Sequence, residues 1–371
     1  MEFDIENINK IKDLPIFFII GSPRSGTTLL RTLFDAHPHI SIPLENPFIL
    51  NFYNEYHLKK DWTKSDLNLL SEKLFETKLK EYWSIEKWKI EKETLARNLL
   101  LMEGRHAYSE ICKMLIMNFH SIFPKNELLL LGDKVPVYSY FIPKLQSIFP
   151  QAKFIHITRD YRDHIRSLQK VNFGSHLTPL AAMRWEKCQR TIEKQKVLHP
   201  ENFYTIRYED LVSNPEAQMK NICGFLNIEY LPEMITFYTY KEKMIATYKA
   251  DGIELYHSSL LQPINNSHIM QWKTKMPEKE IKIADMLVGS TAEKYGYERK
   301  YKGSYPLLYF YIVPIYLHFA IQWFLGLFIR LLPHKTKNKI VYRRSIFENV
   351  YEKIYLKFRG LKVQEKSNKK P

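Results

Sequence analysis

The chain has 371 residues, of which 45% are hydrophobic and 26% charged, so it can bury the core of a large globular domain with an appendage. Its net charge is +15, but the last 38 residues, from His334, hold 12 Lys or Arg against 3 Glu and carry +9, which argues against a nucleic-acid-binding face. Three scattered cysteines exclude a disulfide framework and indicate a reducing compartment. Residues 1–15 mix acidic and basic side chains and predict neither a secretory nor a transit signal, so a cytoplasmic protein is expected.

The first predicted elements are a buried strand, a small-residue loop and a helix. The apolar run Ile16–Ile20 is followed by Gly21-Ser22-Pro23-Arg24-Ser25-Gly26-Thr27-Thr28 and then by apolar residues at helical spacing. Loop N–H groups and a helix N-terminus favour negative charge, and Gly21 and Gly26 let a ligand approach the backbone. The stretch therefore predicts an anion-binding loop. Its candidate ligands are Arg24, Ser25, Gly26, Thr27 and Thr28.

A carboxylate follows this helix at a constrained position. The helix is predicted to continue to Ala36, and the extended segment 40–47, with its two prolines, places Glu45 in a loop. A carboxylate after an anion loop is a candidate functional group, although a solvated loop Glu is the simpler interpretation of that residue alone. Residues 51–125 are predicted to form a mostly helical insertion able to cover a pocket, and its aromatic residues also fit a packed core.

Three more strands complete the predicted sheet. Residues 128–131 lead to Lys134, residues 152–158 lead to Arg159, and residues 203–208 lead to an acidic turn and a further helix. Strands that alternate with helices predict a mostly parallel sheet whose ligand lies along the carboxyl ends of the strands. Lys134 is then able to reach the loop anion. Arg159 and Ser167, eight residues apart, suit a second phosphate held from one side.

Together these segments resemble the sulfotransferases that use 3′-phosphoadenosine 5′-phosphosulfate (PAPS). The loop at 21–28 is similar to the 5′-phosphosulfate loop of that family, and Arg159 to Ser167 is similar to its 3′-phosphate motif, with Tyr161 in place of a frequent Pro. Segments 132–136, 207–212 and 271–273 match later family blocks in the right order, so the resemblance runs from about residue 16 to 297. It implies a P-loop-like three-layer α/β fold with a central, mostly parallel sheet.

The resemblance also implies roles for individual residues. The run from Leu30 to Pro38 followed by Glu45 is most similar to the branch that includes the tyrosylprotein sulfotransferases, in which the matching Glu is the catalytic base. Sulfuryl transfer also needs a cation on the transferring or bridging oxygens, which we assign to Lys134. The expected donor-binding residues are Arg24, Ser25, Gly26, Thr27 and Thr28 on the 5′ side, Arg159 and Ser167 on the 3′-phosphate, Tyr208 near the adenine and Lys273 closing over the nucleotide. PAPS is the expected co-substrate, 3′-phosphoadenosine 5′-phosphate (PAP) the expected product, and no metal is expected.

Two other classes of protein remain open at this point. A P-loop kinase or NTPase shares the strand, loop and helix, but its loop carries Gly-Lys followed by Ser or Thr, and Arg24 replaces that lysine only loosely. A non-catalytic nucleotide-binding membrane adaptor is the other class. The presence of both Glu45 and Lys134 argues against it.

The C-terminal part has a different composition. Residues 307–329 contain no Asp, Glu, Lys or Arg and are long enough to span a bilayer, but Pro314 and Gly326 favour a broken or interfacial segment in one leaflet. A helical pair packed on the rest of the chain is the alternative. The tail places Ile346, Val350, Ile354, Phe358 and Leu361 on one helical face amid basic residues. This pattern is typical of binding to anionic lipid, so we expect association through 307–361 with the cytoplasmic face of a membrane.

The two regions are expected to differ in role. Residues 1–300 are predicted to form the sulfotransferase domain, with 51–125 as its helical insertion, and 301–371 a hydrophobic and basic helical appendage. Membrane docking favours a lipophilic acceptor, such as a sterol, a steroid or another lipid alcohol. A glycan and a protein tyrosine are the alternative acceptors.

Overall fold

A computed structural model of the chain describes residues 10–76, 84–171, 177–248 and 253–329, together with residues 332 and 336. These residues form two compact units. The first unit contains the chain up to Thr158 and Thr191–Asn266, and the second contains Arg159–Arg190 and the chain from Ser267. The first unit holds the central sheet, and the described residues of the second are helices and connecting segments.

Strands and helices alternate along much of the chain. The strands are β1 (Ile16–Ile20), β2 (Ile40–Ser41), β3 (Asp61–Trp62), β4 (Gly104–Arg105), β5 (Leu130–Lys134), β6 (Lys153–Thr158) and β7 (Phe203–Arg207). The α-helices are α1 (Thr27–Asp35), α2 (Phe48–Asn51), α3 (Tyr53–Tyr56), α4 (Lys64–Glu76), α5 (Lys92–Leu100), α6 (Tyr108–Met117), α7 (Ile142–Ile148), α8 (Tyr161–Gln169), α9 (Thr178–Leu198), α10 (Tyr208–Ser213), α11 (Pro215–Leu226), α12 (Lys241–Tyr248), α13 (Ile253–Tyr256), α14 (Trp272–Lys275), α15 (Glu278–Val288) and α16 (Pro306–Ile329). Short 3₁₀ helices include Ile85–Trp88, Pro136–Tyr140 and Ser258–Leu261.

Five of the strands form one parallel sheet in the order β2-β5-β1-β6-β7, and β3 and β4 form a separate antiparallel pair. In the centre, Ile19 of β1 aligns with Lys134 of β5 on one side and with Ile155 of β6 on the other. All residues of β1 are buried, as expected for a strand covered on both faces. The predicted mostly parallel α/β sheet is therefore confirmed, and the carboxyl end of β1 is where such sheets bind ligands.

The second long strand differs from its predicted position. The sequence predicts residues 128–131, whereas β5 runs from Leu130 to Lys134 and Leu129 is 51% exposed. The reason lies at Gly132, where Phe17 packs so closely that an added Cβ would lie 2.7 Å from the Phe17 ring. A glycine weakens a strand pattern in the sequence, but here it accommodates a side chain from the neighbouring strand. Lys134 is consequently the last residue of the strand.

In the second unit, the helices α8, α9, α14 and α15 contribute to one core that includes the buried rings of Tyr161, Trp185 and Trp272. Helix α16 packs through Ile312 on Met183 and Ile283. Among the residues whose placement is described, no helix combines the length and apolarity that crossing a membrane requires. The amphipathic tail segment predicted at 346–361 lies outside the described residues.

Candidate active site

The predicted anion loop lies at the carboxyl end of β1 and leads into α1. Its first residue, Gly21, has φ +149°, and an added Cβ would lie 2.3 Å from the carbonyl oxygen of Ile157. The Gly21 N–H donates to Ser139 Oγ at 2.9 Å, and the Ser139 hydroxyl donates to the Gly21 carbonyl oxygen at 3.2 Å. Glycine alone tolerates both the backbone angle and the close approach, so the start of the loop is fixed to its neighbours.

Two further residues shape the loop. Gly26 precedes α1 with φ +96°, and an added Cβ would lie 2.5 Å from the ring of Tyr208. Arg24 has φ +69°, an uncommon backbone angle for a residue with a side chain. Tyr208, which is predicted to contact the adenine, therefore packs directly on the loop that carries the predicted phosphate ligands.

The hydroxyl groups of two loop serines have no partner among the described residues. The Oγ atoms of Ser22 and Ser25 are buried and make no hydrogen bond to any described residue. Buried polar groups are nearly always hydrogen-bonded, so these hydroxyls beside the N-terminus of α1 fit an anionic ligand. Thr27 and Thr28 form the first turn of that helix. The residues present therefore suit a phosphate or sulfate group.

Lys134 and Glu45 meet beside this loop. The Lys134 side chain is 3% exposed, and its Nζ donates to the Glu45 carboxylate and, at 3.3 Å, to Thr28 Oγ1. The Glu45 side chain is 29% exposed and lies in the segment between β2 and α2. Burial lowers the pKa of Lys134, and the neighbouring Glu45 charge acts in the opposite direction. A cation, a carboxylate and a loop hydroxyl thus converge at one point.

A buried carboxyl group supports the end of β5. Asp133 Oδ1 accepts the Lys134 N–H at 2.8 Å, and Oδ2 accepts the Tyr138 hydroxyl at 2.8 Å. Burial raises the pKa of Asp133 to about 7, although both hydrogen bonds favour its charged form. Asp133 belongs to a segment that the sequence analysis matched, but only these contacts give it a role: it fixes the backbone that carries Lys134.

His257 lies close enough to this site for the charges of Arg24 and Lys134 to act on it, and no sequence pattern pointed to it. It directly precedes the 3₁₀ helix Ser258–Leu261. Burial, with the nearby Arg24 and Lys134 cations, lowers the pKa of His257 to about 3, so the imidazole is neutral at pH 7. A single histidine has no local signature when the charges around it come from distant parts of the chain.

The predicted 3′-phosphate residues belong to the second unit. Arg159 is 8% exposed, and its Nη2 donates to the His268 carbonyl oxygen at 2.7 Å. Ser167 lies on α8 and is partly exposed, and Lys273 lies on α14 with an exposed side chain. One cation of this group therefore contacts the segment that leads to Lys273.

A second set of contacts holds the same segment. Asp163 Oδ1 accepts the Trp272 N–H at 2.9 Å, and the Arg162 guanidinium carbon lies 3.6 Å from the centre of the Trp272 ring. Burial raises the pKa of Asp163 to about 6, against the lowering effect of Arg159. The charged residues at the start of α8 are thus directed at the backbone and ring that precede Lys273.

The fold and the first unit's site define a class of protein. An anion loop follows the central strand of a parallel sheet, and a partly exposed carboxylate lies beside a buried cation. Such an arrangement suits transfer of an anionic group from a nucleotide to a hydroxyl. The site is that of a nucleotide-dependent α/β transferase.

The chain belongs to the sulfotransferase family, whose model matches residues 15–232. It is 27% identical over 278 residues to protein-tyrosine sulfotransferase 1 of Danio rerio, a match that covers 72% of this chain and 68% of that protein. It is 27% identical over 265 residues to the omega-hydroxy-beta-dihydromenaquinone-9 sulfotransferase Stf3 of Mycobacterium bovis, covering 60% of this chain and 66% of that protein. The sulfotransferase domain of the Synechococcus PCC 7002 olefin synthase shares the fold, with a TM-score of 0.53 at 22% identity over 76% of this chain and 95% of that domain.

The family assignment makes the chain a PAPS-dependent sulfotransferase and decides against a P-loop kinase or NTPase. The roles of single site residues stay predictions. Within the described ranges, no three His, Cys, Asp or Glu side chains are grouped so that they could hold a metal ion. The relatives support a tyrosine acceptor better than the lipid acceptor that the sequence analysis favoured.

Proposed function

We propose that the protein moves a sulfuryl group from PAPS to an acceptor hydroxyl, with Glu45 as the general base. The observation that carries this proposal is the contact of Lys134 with both Glu45 and Thr28 beside the anion loop. A general base must lie within hydrogen-bond reach of the reacting groups. A buried cation beside it stabilises the negative charge that develops on the transferred and departing oxygens.

On the donor side, we assign the 5′-phosphosulfate to the anion loop. Its ligands are Arg24, Ser25, Gly26, Thr27 and Thr28, and we add Ser22 because its buried hydroxyl lacks a partner among the described residues. We assign the 3′-phosphate to Arg159 and Ser167, the adenine to Tyr208, and a closing contact to Lys273. PAP is then the product that has to leave.

The chemistry needs one proton transfer and one exchange of bonds at sulfur. The bound donor supplies a sulfuryl group attached to a phosphate oxygen. Glu45 accepts the proton as the acceptor oxygen bonds to sulfur, and Lys134 faces the negative charge left on the phosphate as its bond to sulfur breaks. Before substrates bind, the contact between Lys134 and Glu45 holds both side chains in place. The scheme uses no metal.

For the acceptor, we propose the phenolic hydroxyl of a protein tyrosine. Support comes from the match to protein-tyrosine sulfotransferase 1 over 72% of this chain. The chemistry agrees, because a phenol has a pKa of about 10 and gives its proton to a carboxylate more readily than an alkyl alcohol does. A glycan hydroxyl has no comparable support.

A lipid hydroxyl is the second candidate, and helix α16 favours it. Leu307, Phe310, Phe324 and Phe328 are 82%, 83%, 62% and 67% exposed, on a helix without a charged residue. Exposed apolar surface of this extent marks an interaction site, and the basic residues after His334 complement anionic lipid. We propose that residues 301–371 are an appendage of the domain 1–300 and dock it peripherally on the cytoplasmic face of a membrane.

A labelling experiment identifies the acceptor. Purified protein and PAPS labelled in its sulfuryl group are offered a tyrosine-containing peptide, an omega-hydroxylated dihydromenaquinone, a sterol and an oligosaccharide. We expect label on the peptide, with the same peptide bearing Phe as the control. Label on a lipid alone would support the second candidate, and transfer to none of these hydroxyls would contradict the proposed activity.

The membrane proposal has its own test. Flotation with phosphatidylserine-containing vesicles should recover the full chain and lose most of it after Phe324→Ser with Phe328→Ser. The control is Val197→Ser on α9, because Val197 is also an exposed apolar residue, at 77%. Equal recovery of all three proteins, or no binding by the unaltered chain, would refute docking through α16.

A further inference from the structure

Glu45 lies on a segment that neither a helix nor a strand holds. Residues 42–47, between β2 and α2, have no regular secondary structure. A displacement of about 1 Å of a catalytic group can cost on the order of 10²-fold in rate. The carboxylate of Glu45 therefore depends on side chains from other elements for its position.

Arg31 of α1 holds the beginning of this segment. Its Nη2 donates to the Ile42 carbonyl oxygen at 2.7 Å, and its Nε lies 3.1 Å from that oxygen and 3.2 Å from the Pro43 carbonyl oxygen. The residue is 3% exposed, and Asp35 balances its charge at 3.0 Å. Asp35, which also contacts Lys125 at 3.3 Å, holds one side of the planar guanidinium, and the remaining Arg31 donors are directed at the backbone.

Trp88 holds the residue directly before the base. Its Nε1 donates to the Leu44 carbonyl oxygen at 2.9 Å. The ring is 1% exposed and packs edge-on against Phe48, with ring centres 5.8 Å apart. Trp88 comes from the insertion 51–125, so the insertion contacts the base segment through a specific hydrogen bond as well as through packing.

We propose that Arg31 and Trp88 are positioning residues for Glu45. Together they bind the three consecutive carbonyl groups of Ile42, Pro43 and Leu44, which leaves the next residue little freedom. Helix α1 also carries Thr28, one turn before Arg31, and the Thr28 hydroxyl contacts Lys134. The same helix thus helps to fix the positions of both Glu45 and Lys134. The inference rests on the proposed function, in which Glu45 is the base.

The experiment compares Trp88→Phe with Trp62→Phe. Trp62 is a matched control: it lies in the same insertion, is 2% exposed, and donates from Nε1 to a backbone carbonyl, that of His106, at 3.0 Å. Both variants should lose similar thermal stability. We expect only Trp88→Phe to lower kcat, by about tenfold, with the KM for PAPS and the Kd for PAP within about threefold of the unaltered enzyme. Equal kcat values for the two variants would show a merely structural role.

Arg31→Lys tests the contacts that Arg31 makes with the segment before Glu45, and it tests the proposal independently if Trp88→Phe does not fold. It keeps a cation beside Asp35 but cannot donate to both carbonyl oxygens, so kcat should again fall about tenfold with PAP binding retained.

Glu45→Gln separates this inference from the function on which it rests. If Glu45→Gln keeps its rate, the proposed base is wrong. If Glu45→Gln loses its rate and adding Trp88→Phe lowers it about tenfold further, the positioning role is wrong, because a clamp acting through Glu45 predicts little additional loss.

Discussion

Two charged clusters, one in each unit, use their charges in different ways. In the first unit, Lys134 contacts the Glu45 carboxylate and the Thr28 hydroxyl, all of them side-chain groups. In the second unit, Arg159 and Asp163 bond to the backbone of residues 268 and 272. Side chains that contact each other can exchange a partner for a substrate, whereas charges bonded to the backbone fix a segment. The first cluster therefore suits chemistry, and the second suits the holding of a ligand-binding segment.

Removing the cation of the first cluster should have the largest effect. Lys134→Met takes away the charge that we propose stabilises the departing phosphate, so kcat should fall about 10³-fold. The Kd for PAP, measured by calorimetry, should rise less than tenfold, because the loop supplies most of the donors. Lys153→Met is the control, since Lys153 begins β6 at the opposite end of the sheet and donates to the Glu201 carbonyl oxygen. A change in PAP binding larger than the change in kcat would reverse the roles of the two clusters.

A substitution in the second cluster should affect binding and leave the chemical step nearly unchanged. Arg159→Gln removes the charge-assisted contact that we propose with the 3′-phosphate, so the KM for PAPS should rise about 10- to 50-fold while kcat stays within about threefold. Arg190→Gln is the control, because Arg190 is an exposed residue of the same unit that pairs with Glu186 on its own helix. A loss confined to kcat would mean that Arg159 acts in the chemical step, which would contradict the different roles proposed for the two clusters.

Local patterns were sufficient to predict much of the fold and several candidate site residues. The apolar run at Ile16–Ile20 followed by two glycines identified β1 and its loop, because a buried parallel strand and a tight anion loop both have short, strong signatures. The end of β5 was misplaced because Gly132 and Asp133 do not resemble strand residues until Phe17 and Tyr138 pack against them. The structure brings Lys134 and Glu45 into contact, but this contact spans 89 residues and has no local sequence pattern.

The groups that we propose position Glu45 were not predictable from the sequence. Trp88 has the pattern of a core aromatic residue, and only its distance to the Leu44 carbonyl oxygen, 44 residues away, gives it a further role. Ser139 and Gly21 are 118 residues apart and are joined by two hydrogen bonds. Every residue has a backbone carbonyl group, so the sequence does not indicate which carbonyl group accepts a hydrogen bond. Contacts of this kind are identified only in the structure.

The smallest expected effect is on the pH dependence of stability, and it concerns Asp133, the residue before Lys134. Burial raises the pKa of Asp133 to about 7. A raised pKa in the folded state gives stability that is fully present below the unfolded pKa, near 4, and is lost as pH rises through about 7. Asn has the shape of Asp but does not titrate. Between pH 4.5 and 7.5, the unfolding free energy of Asp133→Asn should therefore fall by about 2–4 kcal/mol less than that of the unaltered protein. Urea titrations at both pH values measure this, and parallel curves for the two proteins would refute the raised pKa.

We propose that Glu45 accepts the proton of the attacking hydroxyl while Lys134 and the loop hold the donor side. The most direct measurement is the single-turnover rate of sulfuryl transfer by Glu45→Gln at saturating PAPS, with the Kd for PAP measured on the same preparation. We expect the rate to fall at least about 10²-fold and the Kd to stay unchanged, because the amide of Gln keeps the shape of the carboxylate but accepts no proton. A rate within about threefold of the unaltered enzyme would contradict it.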